Sequence, residues 1–179
     1  MNFTYEEAVN SFKSESKNDG KKIDFFSLKN DGDTAIVRFC LNELNELEII
    51  TVHDVPVNDK HRKISCLRRK TDPISTCPLC AAVGADNKSI YPRKVKIYIK
   101  LIKYDVDNSG KVVATPMVWE RSYKYVEDLK AELFTYEGIN PAKTLFGIRR
   151  CGVKGDTNTT YKITNLPSNG IYTEEDRMQ

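Results

Sequence analysis

Residues 93–106, RKVKIYIKLIKYDV, are the stretch of sequence that decides the fold. Apolar side chains alternate here with lysines and a tyrosine, and a period of two is typical of a strand with one buried face. The predicted buried face carries Val95, Ile97, Ile99 and Leu101. The predicted wet face carries Lys94, Lys96, Tyr98 and Lys100. The stretch therefore predicts a long strand that is apolar on one side and basic and aromatic on the other.

Shorter runs of β-forming residues surround this strand, and one stretch has helical spacing. The additional strands are expected at residues 34–40, 47–53, 62–69, 111–120, 144–152 and 159–164. The helix is expected over residues 122–138, with Ser122 as its N-cap and Gly138 as its stop. Trp119 lies in an apolar run and is predicted to be in the core. This order predicts a mainly β fold, either a small barrel such as an OB fold or a β-sandwich, which fits nearly as well.

The two ends of the chain differ from the middle in composition. We expect an N-terminal helix with a flexible segment at 1–24, a core at 25–165 and a frayed tail at 166–179. No apolar run approaches the ~20 residues of a membrane helix. The start, MNFTYEEAVNSF, lacks the apolar segment of a secretory signal. We therefore expect a cytoplasmic protein that is not secreted and does not contact a membrane.

Three of the five cysteines have a spacing that is typical of a metal site. Cys77 and Cys80 form a C-x-x-C pair, which can curl around one ion, and Cys66 lies eleven residues before it. Disulfides are disfavoured in the cytosol, where clustered cysteines indicate a metal. The other two, Cys40 and Cys151, lie in strand-like runs and are predicted to be small buried hydrophobic residues.

A structural zinc ion needs a fourth ligand, and the chain has two histidines. His61 is five residues before Cys66, and an odd separation within a strand places the two side chains on opposite faces. A hairpin centred between Asp59 and Lys60 would make His53 and Cys66 direct cross-strand partners, which project on the same face. The sequence therefore predicts one structural zinc ion, held by His53, Cys66, Cys77 and Cys80.

No catalytic constellation accompanies this site. Four protein ligands leave no position for an activated water, and no histidine remains as a general base beside the zinc. The chain has no P-loop and no G-x-S-x-G sequence. Asp105 and Asp107 could suggest a magnesium-dependent nuclease, but the surrounding DVDNSG is more simply a turn. We therefore predict that the protein is not an enzyme.

Positive charge is concentrated in the middle of the chain. Residues 53–104 carry 12 Lys and Arg against 4 Asp and Glu, although the net charge of the whole chain is only +3. Cations interleaved with aromatic rings are what a single-strand binder needs, because cations follow phosphates and rings stack on bases. The predicted DNA-binding residues are Arg62, Lys63, Arg68, Arg69, Lys70, Tyr91, Arg93, Lys94, Lys96, Tyr98, Lys100, Lys103, Tyr104, Arg149, Arg150, Lys154, Tyr161 and Lys162. The last five form a second cluster that could provide an opposite wall.

The chain resembles the zinc-containing single-stranded-DNA-binding proteins of large tailed bacteriophages, the T-even helix-destabilising type. The likeness rests on NDGDTAIVRFC, on His53 with Cys66 after twelve intervening residues, on the Cys77–Cys80 knuckle and on YPRKVKIYIKLIKYD. It covers roughly residues 25–165. The interval from Cys66 to Cys77 is about one residue longer than in the family.

The resemblance implies an OB fold with an inserted zinc subdomain, here at about residues 53–90, and cooperative coating of single-stranded DNA. It also implies roles in phage DNA replication, recombination and repair in the cytoplasm of a bacterial host. The sequence departs from the family pattern at two places that concern binding to other proteins and to neighbouring copies. TEEDRMQ replaces the family's long acidic tail, which recruits replication proteins, and TYEEAVNSF is acidic where the family has a basic cooperativity segment. An RNA-binding or translational regulatory protein stabilised by zinc is the alternative function.

Overall fold

The computed structural model describes residues 24–58, 60–134, 139–156 and 159–166. The helix and frayed tail expected at the two ends lie outside these residues, as does the helix stop at Gly138. No helix in these ranges is long and apolar enough to cross a membrane. The described chain is mainly β, which confirms the mainly β part of the predicted fold class.

Eight strands and two short α-helices lie in the described residues. The strands are β1 (Asp24–Phe25), β2 (Thr34–Phe39), β3 (Glu48–Val57), β4 (Lys60–Ser65), β5 (Arg93–Val106), β6 (Val112–Ser122), β7 (Phe146–Cys151) and β8 (Thr160–Asn165). The helices are α1 (Pro78–Ala81) and α2 (Val126–Phe134), and 3-10 turns lie at Leu44–Glu46, Ile74–Thr76 and Tyr123–Tyr125.

Strand β5 is the centre of the sheet, as its length and alternation predict. It pairs with β6 from Lys96 to Val106. On its other side, the first half of β5 pairs with β3 and the second half with β2. The hairpin partner β4 extends the β3 branch, and β7 and β8 extend the β2 branch. One long strand therefore joins two sub-sheets.

The described strands do not close into a barrel. Their order is β1-β6-β5-β2-β7-β8, with β3 and β4 as a branch on β5. Among the described residues, β8 has only β7 as a strand partner and β4 has only β3. The β-rich part of the fold prediction is confirmed, and the closed OB barrel is not observed in this sheet.

The core lies on the predicted apolar face of β5. Ile97, Ile99 and Leu101 are at most 1% exposed, as predicted. Trp119 is 2% exposed, which confirms its place in the core, where it packs edge-on against Phe26, Tyr125 and Tyr161. The prediction is wrong for Val95, which is 40% exposed. It lies near the start of β5, where the strand pairs with β3 and extends beyond the main apolar cluster.

Two predicted element boundaries are wrong. Ser122 is the last residue of β6 and the N-cap of a 3-10 turn, without a side-chain cap bond, and α2 begins only at Val126, directly after that turn. The third strand ends at Ser65 instead of residue 69. The chain turns there because the Asp72 carboxylate accepts a bond from the Arg69 backbone N–H, and the Arg68 side chain donates to the Asp72 carbonyl.

Candidate metal centre and basic groove

The predicted ligands form one cluster. The ligand atoms of His53, Cys66, Cys77 and Cys80 all lie within 4.8 Å of one another. His53 Nε2 is 3.6 Å from the sulfurs of Cys77 and Cys80, and the sulfurs of Cys66 and Cys80 are also 3.6 Å apart. A tetrahedral zinc ion with bonds of about 2.0–2.3 Å needs N–S and S–S separations of roughly 3.5–3.8 Å. The four residues could therefore hold one metal ion.

Three elements bring these ligands together. His53 is fully buried in β3, Cys66 follows the last residue of β4, and Cys77 and Cys80 lie at the start of α1. Pro78 sits in the first turn of α1, where its fixed φ favours the helical turn and its missing N–H is not needed. The C-x-x-C segment thus curls under the β3–β4 hairpin.

The predicted hairpin register is wrong, although it selected the correct histidine. His53 pairs with Ile64, and the Cys66 N–H donates to the Thr51 carbonyl at 2.8 Å. Cys66 is therefore the diagonal neighbour of His53, not its direct partner. Positions two apart on a strand share a face, so the diagonal neighbour still reaches the same ion. The other histidine, His61, is exposed, pairs with Pro56 and lies outside the cluster.

The electrostatics of the cluster favour a thiolate at Cys77. Burial would raise the pKa of this thiol, but N–H donors from Leu67, Cys80 and Leu79 outweigh it and lower the pKa to about 6. For Cys66, the Arg68 backbone and His53 likewise outweigh burial and lower the pKa. Burial and the two neighbouring thiols raise the pKa of Cys80. A cation in the cluster would compensate this concentration of sulfur ligands.

The remaining cysteines do not join the cluster. Cys40 follows β2 and is exposed, so the prediction that it is buried is wrong. Strand β2 buries Ala35, Val37 and Phe39, so alternation directs Cys40 to the opposite, exposed face. Cys151, the last residue of β7, is half-buried.

The lysine face of β5 is not an open basic surface. Lys94 pairs with Asp54 at 2.6 Å and Lys100 with Glu48 at 2.5 Å. Lys96 pairs with Glu120 at 3.1 Å. Two further cations have partners: Lys63 pairs with Glu120, and Lys103 with Asp105. The acidic partners come from β3, β5 and β6, so alternation within β5 alone could not reveal them.

The opposite face carries a groove of about 590 Å³ beside the metal cluster. Four predicted cations line it: Arg68, Arg69, Lys70 and Arg93. Its remaining lining residues are Ile49, Ile50, Thr51, Ser65, Cys66 and Val95. No carboxylate is among these residues, in contrast to the lysine face. This basic groove therefore combines cations with exposed apolar surface.

The segment between Cys66 and Cys77, together with β5, fixes one wall of the basic groove. The Arg93 guanidinium donates to the Arg68 carbonyl at 3.1 Å, and Arg93 pairs with His53 in the sheet. The segment that carries Arg68, Arg69 and Lys70 begins directly after the ligand Cys66. The groove and the metal cluster are therefore parts of one local structure.

The predicted stacking tyrosines differ in their accessibility. Tyr104, a predicted DNA-binding residue, is 3% exposed and its hydroxyl accepts a bond from Arg38, so its ring has no exposed face on which a base could stack. Tyr161 packs against Trp119 in the core. Tyr91 and Tyr98 are half-buried. Sequence reasoning omitted Tyr123, which is 50% exposed and directly follows β6.

The second predicted cluster is divided between two faces. Arg149 pairs with Lys162 and Arg150 with Tyr161, so alternation places the two pairs on opposite sides of the β7–β8 hairpin. The Arg150 guanidinium is bound internally: it donates to the carbonyls of Leu28, Gly152 and Val153 and to the Thr159 hydroxyl. The outward-facing cations there are Arg149, Lys154 and Lys162, and Arg62 is similarly exposed on β4.

No protein-family model matches the chain, and no curated protein matches it in sequence. The arguments about function therefore come from the metal cluster, the ion pairs and the basic groove.

Proposed function

We propose that this protein binds single-stranded DNA without sequence specificity, in the basic groove. The observation that carries the proposal is the lining of that groove, with four cations, exposed apolar side chains and no carboxylate. Cations in a groove follow the phosphate backbone, and apolar or aromatic surface receives unstacked bases. A duplex hides its base faces, so such a groove favours single strands.

The role proposed for the metal is structural. His53, Cys66, Cys77 and Cys80 would hold a zinc ion, since three sulfurs and one imidazole nitrogen are a zinc-type ligand set. Bound zinc would supply a cross-link between the hairpin and the C-x-x-C turn. Cys66 and Cys77 flank the segment that contains Arg68, Arg69 and Lys70, so fixing both ends would fix this wall of the groove. Four protein ligands would leave no coordination position for a reacting water, so the proposed role of the zinc ion is structural and not catalytic.

We also propose a cellular role for this DNA-binding activity. A sequence-independent binder of this type would coat and protect single strands during phage DNA replication, recombination and repair. An OB-type arrangement and contact between neighbouring copies along a strand belong to this proposal. Replication or recombination proteins would be further partners.

A salt titration of binding tests the proposal. Labelled oligo-dT and a duplex of equal length would be titrated with the full chain, and anisotropy followed between 50 and 200 mM salt. We expect tighter binding of oligo-dT and a log-log salt slope of about 0.7 per phosphate contacted. Equal affinity for the duplex would contradict the single-strand proposal. A clear preference for oligo-rU over oligo-dU would favour the RNA-binding alternative, because only RNA carries the 2′-OH.

A further inference from the structure

Arg121 has an unusual environment for a charged side chain. Its guanidinium carbon lies 4.4 Å from the ring centroid of Tyr161, 4.8 Å from that of Tyr125 and 5.5 Å from that of Trp119. The side chain is half-buried, and its Nε atom is buried without a hydrogen-bond partner. Three rings therefore hold one partly desolvated cation in place.

Arg121 forms no salt bridge in the part of the chain that the structure describes, although the Asp128 and Glu132 carboxylates act electrostatically on the neighbouring Tyr125. The adjacent residue Glu120 faces the other side of the sheet, where it pairs with Lys63 and Lys96. Ring faces attract a cation but accept no directed bonds from its outward N–H groups. A planar guanidinium without a carboxylate partner retains the donor geometry that suits a phosphate.

The register connects Arg121 to the basic groove. Arg121 pairs with Ile97 of β5, and Val95, which lines the groove, lies two residues earlier on the same face. Arg93, also in the groove lining, is two residues earlier again. The groove and Arg121 therefore lie on the same face of the sheet, with the buried Ile97 between Val95 and Arg121.

We propose that Arg121 is a phosphate-binding residue that extends the basic groove toward β6, and that its ligand is a phosphodiester of the bound single strand. This inference rests on the proposed function. The three aromatic rings fix the guanidinium before binding, which reduces the entropy lost when a flexible side chain is ordered. The ion-paired lysines on the opposite face lack this arrangement.

Arg121→Gln and Arg121→Lys test the proposal, with Lys111→Gln as the matched loss of one charge. Lys111 lies in the β5–β6 turn, roughly 30 Å from Ile97 along β5 at about 3.3 Å per residue. We expect Arg121→Gln to weaken oligo-dT binding about 3- to 10-fold and to lower the salt slope by about 0.7. Arg121→Lys should retain the slope but bind more weakly, and Lys111→Gln should match the wild type. An Arg121→Gln variant with wild-type affinity and slope would overturn the inference.

A second measurement covers the case in which Arg121→Gln does not fold. The chain contains one tryptophan, Trp119, and this ring contacts Arg121. We expect oligo-dT to change the Trp119 emission of the wild type, and to change it less in Arg121→Lys. Identical emission changes and identical affinity in these two proteins would overturn the inference. Absence of any salt-dependent binding by the wild type would instead overturn the proposed function itself.

Discussion

The Nδ1 atom of His53 lies 2.6 Å from the carbonyl oxygen of Tyr91. A carbonyl oxygen only accepts hydrogen bonds, so Nδ1 carries a proton, and in the neutral imidazole Nε2 then keeps its lone pair. That lone pair faces the sulfurs of Cys77 and Cys80, at 3.6 Å from each. Outer partners of this kind fix the tautomer and orientation of metal-binding histidines. The backbone just before β5 thus prepares His53 as a ligand.

Replacing the two histidines separately tests the metal site. His53→Ala should lower zinc affinity by more than the ~10–100-fold typical of losing an outer partner, because it removes a direct ligand. His61→Ala should retain one zinc ion per chain, since this residue is exposed and outside the cluster. Metal content after dialysis and thermal unfolding would measure both effects. Loss of zinc from His61→Ala alone would contradict the assignment.

Removing the metal should weaken the basic groove. The segment with Arg68, Arg69 and Lys70 lies between the ligands Cys66 and Cys77, so a chelator should release both of its anchors. We expect weaker oligo-dT binding and a lower unfolding temperature after chelation, both restored by added zinc. Limited proteolysis should show new cleavage between Cys66 and Cys77. Unchanged affinity in the metal-free protein would show that the groove does not depend on the metal.

Charge removal should distinguish the basic groove from the ion-paired lysine face. Arg69→Gln and Lys70→Gln should each weaken oligo-dT binding and lower the salt slope by about 0.7. Lys94→Gln and Lys100→Gln should change both quantities less, because their charges are paired with Asp54 and Glu48. Parallel salt titrations of the four variants would measure the difference. The reverse ranking would assign binding to the lysine face.

Two tyrosines that look alike in sequence should behave differently. Tyr123→Ala should weaken binding by about 1–3 kcal/mol if its exposed ring stacks on a base next to the groove. Tyr104→Phe should leave binding unchanged, because the ring is buried, and should mainly affect stability through the lost bond from Arg38. Anisotropy titrations and thermal unfolding would separate these effects. Weaker binding by a stable Tyr104→Phe variant would contradict this interpretation.

Acidification should remove the stabilising effect of Glu120. Burial alone would raise its pKa, but hydrogen bonds from Lys63 and Lys96 lower it below the ordinary value of 4.5. A lowered folded-state pKa contributes stability above the ordinary pKa, and this contribution is lost as the pH falls through the folded-state value.

The variant Glu120→Gln should therefore lower the free energy of unfolding at pH 7 by about 1–3 kcal/mol. Its difference from the wild type should shrink as the pH falls below 4.5. Glu48→Gln is the matched control, and its more exposed pair with Lys100 should contribute at most about 1 kcal/mol. Urea unfolding across this pH range would measure both variants. A difference that does not vary with pH would contradict the ion-pair explanation.

The sequence by itself determined the central strand, the mainly β class and the four residues that could hold a metal ion. These features depend on local information: alternation decides which face of β5 is apolar, and cysteine spacing decides which sulfurs can converge. The prediction selected His53 over His61 correctly although the predicted β3–β4 register was wrong by two positions. A shift by two positions keeps a residue on the same face of the strand.

Only the tertiary structure decided which positive charges are paired with a carboxylate and which are not. Lys94, Lys96 and Lys100 look like an open basic face in sequence, yet the strands on either side bring a carboxylate to each of them. The same assembly leaves Arg121 among aromatic rings, without a salt bridge to any of the described residues. Whether a charged side chain forms an ion pair depends on residues far apart in the chain. Periodicity and composition describe only local sequence, so they cannot predict the pairing.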